Sequence, residues 1–317
     1  MKTIGLVGYG NLGKGVEKMA EHFSDLELKY IFTRRNVSDI STYNKNIAVI
    51  PYTKISEYKS TLDCLILAGG SKRDLTYQSR ELAEHFNIVD SFDNHTEIKE
   101  HIKKVEENAV RGGRCAVVSS GWDPGLFSLM RLYFSAFMPR AAVNTFWGYG
   151  VSQGHSEALR GISGVKYAVQ YTAPSAEAQS AAERGEIIES KRAHRRICYI
   201  VAEEESREYI INEVRNMENY FSGYETEINF ISEAEFFENH LSLPHGGSVI
   251  SHVSTPCGSQ LATLSLKLSS NPDFTAGILL ASARAVCRLY SIGERGAKTL
   301  FDIPPKLLFD ADPQKLM

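Results

Sequence analysis

The sequence contains no C-x-x-C pair, and its five cysteines (Cys64, Cys115, Cys198, Cys257 and Cys287) are spread singly over 317 residues. Zinc-ribbon spacing is therefore excluded. An odd number of cysteines in a chain of this length also argues against a disulfide framework, so a reducing, cytoplasmic compartment is expected. No apolar run approaches the roughly 18 residues that would span a bilayer. The opening Met1-Lys2-Thr3-Ile4-Gly5-Leu6-Val7 meets glycines too soon for a signal peptide. Neither sign of charge dominates: 35 Lys and Arg against 38 Asp and Glu leave a formal net charge of -3. The chain thus offers no electrostatic case for nucleic acid or an anionic membrane as a partner. Repeats and low-complexity stretches are missing as well. No metal is expected, because His155 and His245 have no second ligand at metal-binding spacing.

What is present is apolar residue in quantity, 43% of the chain, enough for a large core and for two domains. Ile4 to Val7 is a short apolar run bounded by glycines, as a buried parallel strand would be. A helical stretch follows from Lys14 to His22, then strands at Leu26 to Thr33, Asp63 to Ala68, from Ile88, and at Arg114 to Ser119. A helix closing at Leu82 to Phe86 lies among them. Strands alternating with helices argue for an open parallel sheet. After Gly121 the texture changes. Residues 165–173, 196–202, 224–231 and 261–268 are β-rich, the last with period two, which reads as a mostly antiparallel sheet. Phe274 to Tyr290 is a long apolar helix, with Gly293 and Gly296 at its end. The expected fold is α/β: an N-terminal Rossmann-type doubly wound parallel sheet (residues 1–122 and 274–317) with an inserted α+β domain (residues 123–273).

Gly8-x-Gly10-x-x-Gly13 stands between the first strand and the first helix, the context in which this pattern binds a dinucleotide. The first glycine permits the tight turn. The second lets backbone approach the pyrophosphate, and the third lets helix and strand pack closely. An NAD site would carry Asp or Glu about 20 residues on. Here the second strand ends in Thr33-Arg34-Arg35. A guanidinium pairs with a 2′-phosphate that a carboxylate would repel, so the cofactor is expected to be NADP(H).

Polar residues also follow the later strands. Ser91-Phe92-Asp93-Asn94-His95 comes after the strand at Ile88, and Ser120-Gly121-Trp122-Asp123-Pro124-Gly125 after the strand at Val117. Both belong at carboxyl ends of the sheet, where such folds bind ligands, and two acids there suit a substrate ammonium. Taken singly, Asp93 reads equally well as the N-cap of a helix starting near Thr96, and Asp123 as a turn residue before proline. The second domain offers Phe146-Trp147-Gly148, Ser152-Gln153-Gly154-His155-Ser156, Thr172, Arg196, Pro244-His245-Gly246-Gly247 and Asn271. Arg196 with Thr172, His245 and Asn271 could hold a carboxylate. No nucleophile–base pair is visible.

Together these motifs resemble the meso-diaminopimelate D-dehydrogenase family. Gly-Tyr-Gly-Asn-Leu-Gly, Phe-Thr-Arg-Arg, Phe-Asp-Asn-His, Gly-Trp-Asp-Pro-Gly, Ser-Gln-Gly-His-Ser, Ala-Val-Gln-Tyr-Thr, Pro-His-Gly-Gly and Asn-Pro-Asp-Phe-Thr occur in that family's order, from about residue 4 to residue 305. The resemblance implies reversible, NADP-dependent oxidative deamination of the D-centre of meso-2,6-diaminopimelate, in lysine and peptidoglycan-precursor biosynthesis. It implies that Tyr9, Gly10, Asn11 and Leu12 meet the pyrophosphate and Thr33, Arg34 and Arg35 the 2′-phosphate end. Ala68, Gly69, Gly70, Ser71, Ser91, Phe92 and the Ser120 to Pro124 loop would line the cofactor. Asp93 and Asp123, with Trp122, would hold the reacting ammonium, and one acid would accept its proton. Phe146, Trp147, Gln153, Gly154, His155 and Ser156 would shape the substrate channel. Thr172, Arg196, His245 and Asn271 would grip the distal end. Glu157 departs from the family, which more often has Asp there, and the extra methylene bears on the distal pocket. The resemblance also implies a homodimer formed through the inserted domain. Two rival readings are an imine reductase of the dihydrodipicolinate reductase type and a non-catalytic NADP(H) sensor. Neither needs Asp93, Asp123 and Arg196 together.

Overall fold

The computed structural model describes every residue except Asn219, and every other side chain except those of Lys72 and Gln153. The chain forms two compact units, Met1–Leu129 with Pro272–Met317, and Met130–Asn271. The inserted unit begins within a helix rather than at residue 123, because the chain completes most of a first turn past Gly125 before leaving the first unit.

The first unit holds strands β1 (Lys2–Val7), β2 (Leu26–Thr33), β3 (Ala48–Pro51), β4 (Cys64–Leu67), β5 (Ile88–Asp90), β6 (Cys115–Val117) and a last strand, Gly296–Lys298. All pair in parallel, with β3, β2, β1, β4, β5, β6 and Gly296–Lys298 lying side by side in that order. Helices α1 (Asn11–Ala20), α2 (Thr76–Ala83) and α3 (Ile98–Arg111) make crossovers. From β1 the chain runs outward through β2 and β3, then returns to the other side of β1 as β4. The order reverses between β1 and β4, where open parallel sheets bind ligands at their carboxyl ends. The sequence reading assigned Gly296 to a helix end; it opens a strand of three residues, too short to show a period.

Burial follows from the continuous apolar runs. Leu6, Ile66 and Val89 face one way, into a core completed by Val16 of α1 and by Leu279, Leu280 and Ala283 near the C-terminus. Their neighbours Val7, Leu65, Leu67 and Ile88 face the other way, against Leu82, Ala83, Val105 and Ala109. Successive strand residues point to opposite faces, so a strand covered on both must be apolar throughout.

The second unit holds helix α4 (Leu126–Phe137, begun in the first unit), β7 (Ala142–Trp147), β8 (Gly150–Val151), α5 (Gln153–Arg160), β9 (Val165–Pro174), α6 (Ala176–Glu183), α7 (Ser190–Ala193), β10 (His194–Ala202), α8 (Arg207–Asn216), β11 (Thr226–Phe230), α9 (Glu233–Asn239), β12 (His245–Thr255) and β13 (Gly258–Leu268). Its β-structure is two sheets, not one. β11, β10, β9 and β8 form the first, antiparallel except for β10 with β11; β13, β12 and β7 form the second, antiparallel throughout. The four-stranded sheet is covered on one face by Leu159, Ile210 and Val214 and on the other by Phe236. Of Pro244-His245-Gly246-Gly247, the last three residues open β12. Gly246 is needed there because a Cβ would lie 2.3 Å from the Leu266 carbonyl oxygen of β13.

The long helix α10 (Asn271–Ser291) carries an arginine into the core of the first unit. Arg284 is 5% exposed. Its Nε and Nη2 each donate to Asp25 at 2.6 Å, and its Nη1 donates to the Leu308 carbonyl at 2.8 Å. This bidentate pair ties the corner before β2 to the C-terminal segment. The hydrogen bond from Arg284 holds the Asp25 carboxyl below the usual carboxylate range. A depressed acid contributes stability above its unfolded pKa of about 3.9 and loses it as pH falls through the folded value. The Arg284→Met variant is therefore expected to melt lower at pH 7, by on the order of 5 °C, and to show a flatter loss of stability below pH ~4. Melting curves across that range check both; an acid limb as steep as wild type would rule the pair out.

Candidate functional site

In the first unit the glycine loop has the geometry that a phosphate needs. Gly8 adopts φ +91°, a left-handed turn that glycine makes without strain. A Cβ on Gly13 would lie 2.3 Å from the Gly8 carbonyl oxygen, so only glycine lets α1 pack this closely on β1. A Cβ on Gly10 would meet nothing within 4 Å. Gly10 is also the N-cap of α1 and makes no side-chain cap. An open backbone thus leads into a helix N-terminus whose first N–H groups have no partners within the helix. The residues fit a dinucleotide pyrophosphate. Asn11 and Leu12 begin α1. Tyr9 turns its ring inward: its hydroxyl bonds the buried Glu17, and burial, then that bond, pushes the phenol up. Only its backbone is left for a ligand.

Arg35 donates through Nη2 to the Tyr9 carbonyl at 2.5 Å, joining the end of β2 to the phosphate loop, and its N–H bonds the buried Thr33 hydroxyl at 3.1 Å. Arg34 is 63% exposed and pairs with Asp74 at 2.5 Å. Asp74 also accepts the Gly70 N–H at 3.1 Å, holding the Ala68 to Ser71 turn. Sequence reasoning missed Asp74, which lies far from the arginines in sequence. An exposed ion pair of this kind contributes only about 0–1 kcal/mol. A phosphate offering charge-assisted, bidentate bonds can take its place.

The loops after β5 and β6 carry the two acids. Asp93 is exposed, and its N–H donates to the Ser71 hydroxyl at 3.1 Å, linking it to the turn after β4. It is not an N-cap: α3 starts at Ile98, with Glu97 in the capping position. Ser91 is half-buried; Phe92 is fully buried. The Ser120 to Gly125 loop closes on itself, with Gly121 N–H on the Pro124 carbonyl at 2.9 Å and Phe127 N–H on the Trp122 carbonyl at 2.7 Å. Gly125 has φ +133°, and a Cβ there would overlap the Gly121 carbonyl. Trp122 is buried edge-on against Phe127. Ser120 bonds Ser282 at 2.6 Å. Asp123 is thereby held at the tip of a rigid loop, half-buried.

The second unit places Arg196 opposite Thr172 in the β9–β10 register. Arg196 Nη1 donates to the Thr172 hydroxyl at 2.8 Å, and Gln170 Nε2 donates to the same oxygen at 3.4 Å. With two donors on its oxygen, the Thr172 hydroxyl has its own proton to give elsewhere. Arg196 lies 4.3 Å above the Tyr224 ring, and its buried Nε has no partner. Burial lowers its pKa against the opposing pull of Tyr224, yet a guanidinium remains charged at neutral pH. A half-buried, partly unpaired cation beside a hydroxyl with a proton to give is a site for a carboxylate.

Around it, His155 bonds Ser152 at 2.7 Å, its Nε2 is buried without a partner, and burial followed by the charge of Arg196 brings its pKa down to about 4. Gly154 and Glu157 are exposed on α5. Gln153 begins that helix; its side chain lies outside the described residues. Ser156 is a strut: its hydroxyl donates to the Ser152 carbonyl and accepts the Gln170 N–H. Phe146 is fully buried among Ala178, Ala182 and Ile250, in the core. The Trp147 indole stacks on His194, and the Trp147 backbone N–H donates to His194 Nε2 at 2.8 Å. Burial lowers the pKa of His194 to about 4, so it stays a neutral acceptor. In the sequence His194 was lost among the basic residues 191–196. His245 lines a groove of about 480 Å³ with Tyr149, Gln179 and Lys267, and burial lowers its pKa too. Asn271 N–H bonds the Leu243 carbonyl at 3.1 Å. Among the described residues no group of three His, Cys, Asp or Glu could hold a metal, and no helix is long and apolar enough to cross a membrane.

Comparison with known proteins gives a consistent result. The family model of the diaminopimelic acid dehydrogenase C-terminal domain matches residues 121–270. The chain is 45% identical to a meso-diaminopimelate D-dehydrogenase of Ureibacillus thermosphaericus, over 99% of this chain and 97% of the relative. It is 42% identical to the enzyme of that name from Corynebacterium glutamicum, over 96% and 94%. The solved structure of C. glutamicum DAP dehydrogenase in complex with DAP superposes with a TM-score of 0.90 at 41% identity, covering 99% of this chain and 98% of that one. An engineered D-amino acid dehydrogenase bound to NADP⁺ gives 0.85 at 39%, with 99% and 98% covered.

The end of β2 supplies a test of the cofactor. Replacing Arg34→Ala together with Arg35→Ala should raise the KM for NADP⁺ far more than the KM for NAD⁺. Steady-state kinetics with both cofactors decides it, and equal changes would remove these arginines from the 2′-phosphate.

Proposed function

This chain belongs to the meso-diaminopimelate D-dehydrogenase family, and from that premise we propose how its residues deaminate the D-centre of meso-2,6-diaminopimelate. The products are NADPH, ammonia and L-2-amino-6-oxopimelate, which cyclises to tetrahydrodipicolinate; the reverse direction fixes ammonia. When bound, NADP⁺ accepts the hydride from the D-configured carbon.

The backbone of Tyr9 to Leu12 and the N-terminus of α1 hold the pyrophosphate. Arg34, Arg35 and Thr33 hold the 2′-phosphate, Arg34 exchanging Asp74 for it. The turns at Ala68 to Ser71, Ser91-Phe92 and Ser120 to Pro124 border the rest. Asp93 and Asp123 receive the reacting ammonium beside Trp122. One of them, directly or through water, takes the proton that the amine must lose before its C–H bond breaks. Loss of that proton and the hydride leaves a protonated imine. Water adds to it and ammonia departs.

The substrate has two similar ends, so choosing the D-centre requires recognition of the other. Arg196 and Thr172 take the distal carboxylate, assisted by His245 and Asn271; Trp147, Gln153, Gly154 and Glu157 bound its path. A site built on polar contacts rejects analogues that lack the matching group far better than an apolar pocket does. The observation that carries this reading is the buried, unpartnered Nε of Arg196 next to a hydroxyl with a proton to donate. The working protein is a cytoplasmic homodimer formed through the β-rich unit.

Asp123→Ala is expected to lower turnover of meso-diaminopimelate by two orders of magnitude or more, roughly the contribution of a positioned acid–base group. NADP⁺ binding should change little. Turnover measured by NADPH absorbance at the wild-type rate would end the assignment.

A further inference from the structure

Asp90, the last residue of β5, is fully buried, although the reaction gives it no part. Its Oδ1 accepts the Phe92 N–H at 3.1 Å and the Ser119 N–H at 2.8 Å. Its Oδ2 accepts the Ser79 hydroxyl at 2.6 Å and pairs with His101 Nε2 at 2.8 Å. Four partners fill the lone-pair directions of the carboxylate. Burial pushes the carboxyl up, but the bonds from His101, Ser79 and Ser119 outweigh it, and the group is held ionised below the usual range.

The partners are themselves fixed. His101 is 1% exposed, and its ring stacks on Phe92 with centroids 3.9 Å apart and planes 5° from parallel. Ser119 adopts φ +53°, a left-handed conformation that non-glycine residues take seldom and at a cost of about 1–3 kcal/mol. The Ser120 N–H bonds the Asp90 carbonyl at 2.9 Å. A buried carboxylate is an expensive core residue. What it accomplishes here is to satisfy two backbone N–H groups from two strand ends at a single oxygen. One of those residues immediately precedes Asp93; the other opens the loop to Asp123.

We propose that Asp90 is a positioning residue, whose Oδ1 clamps the loops after β5 and β6 to one point and so sets Asp93 and Asp123 for the reacting ammonium. This rests on the assignment of those two acids to the ammonium.

Three variants test it. Asp90→Asn keeps an oxygen for both N–H groups and turns its amide toward Ser79 Oγ and His101 Nε2, each able to accept; kcat/KM for meso-diaminopimelate should stay within about threefold of wild type. Asp90→Leu has the same size and no acceptor, and should lose about a hundredfold, as misplacement of reacting groups by an ångström does. His101→Phe preserves the stack on Phe92 but leaves Oδ2 with Ser79 alone, and should lose about tenfold. The Kd for NADP⁺, from fluorescence titration, should rise far less than kcat/KM falls, since the phosphate loop and arginines are untouched and only the bordering loops shift. Wild-type kcat/KM in Asp90→Leu would overturn the proposal, and if that variant does not fold, wild-type kcat/KM in His101→Phe would. A lowered melting temperature with kcat/KM retained would make Asp90 merely structural and overturn it too. Asp93→Asn and Asp123→Asn run alongside: full turnover in both would sink the underlying assignment, and the clamp's role with it.

Discussion

The carbonyl oxygen of Gly8 occupies the space that any side chain at residue 13 would need. Because nothing but hydrogen projects from Gly13, α1 can lie directly against the end of β1, and its N-terminus opens where the strand order reverses. The remaining elements of the nucleotide unit are arranged around that point. β2 delivers its arginines beside the loop, one of them bonded to Tyr9. β4 ends in a turn whose Ser71 holds the Asp93 N–H. β5 and β6 end in loops sharing one buried acid. The carboxyl ends of five strands are thus joined by direct hydrogen bonds, so the cofactor loop and the acids are held by one network.

Much of this could be read from the residues, and what could not was hidden for physical reasons. The parallel strands show as apolar runs because both their faces are buried. The glycine loop shows because two of its three positions admit nothing else, Gly8 for its φ and Gly13 for its packing. The strand Gly296–Lys298 did not show, since three residues carry no period. β12 was masked by Gly246 and Gly247, which look like a break, although Gly246 permits close approach of β13. Asp74 and Asp90 were invisible for another reason. Their importance comes from partners distant in sequence (Arg34 for one, Ser119 and His101 for the other), and pairing of that kind has no local pattern.

Charge is handled differently in the two units. In the nucleotide unit the buried charges are paired: Arg284 with Asp25, Asp90 with four donors. In the second unit Arg196 is half-buried, with a buried Nε that no partner satisfies, an arrangement that costs stability unless an anion completes it. Its neighbours are adjusted to it. His155 and His194 are both depressed to about 4, chiefly by burial and further by the guanidinium charge, so at neutral pH neither adds a second cation nor competes for an incoming carboxylate. An anion beside Arg196 would reverse that pressure and raise the pKa of His155, since charges within a few ångströms are strongly coupled at low dielectric. The binding of a distal carboxylate and the protonation of His155 would then favour one another. A pocket with His155 protonated would hold an anion more tightly than one with His155 neutral. The two ends of a zwitterionic substrate thus make opposite demands on charge: a proton on His155 favours the distal carboxylate, whereas the reacting ammonium needs ionised acids.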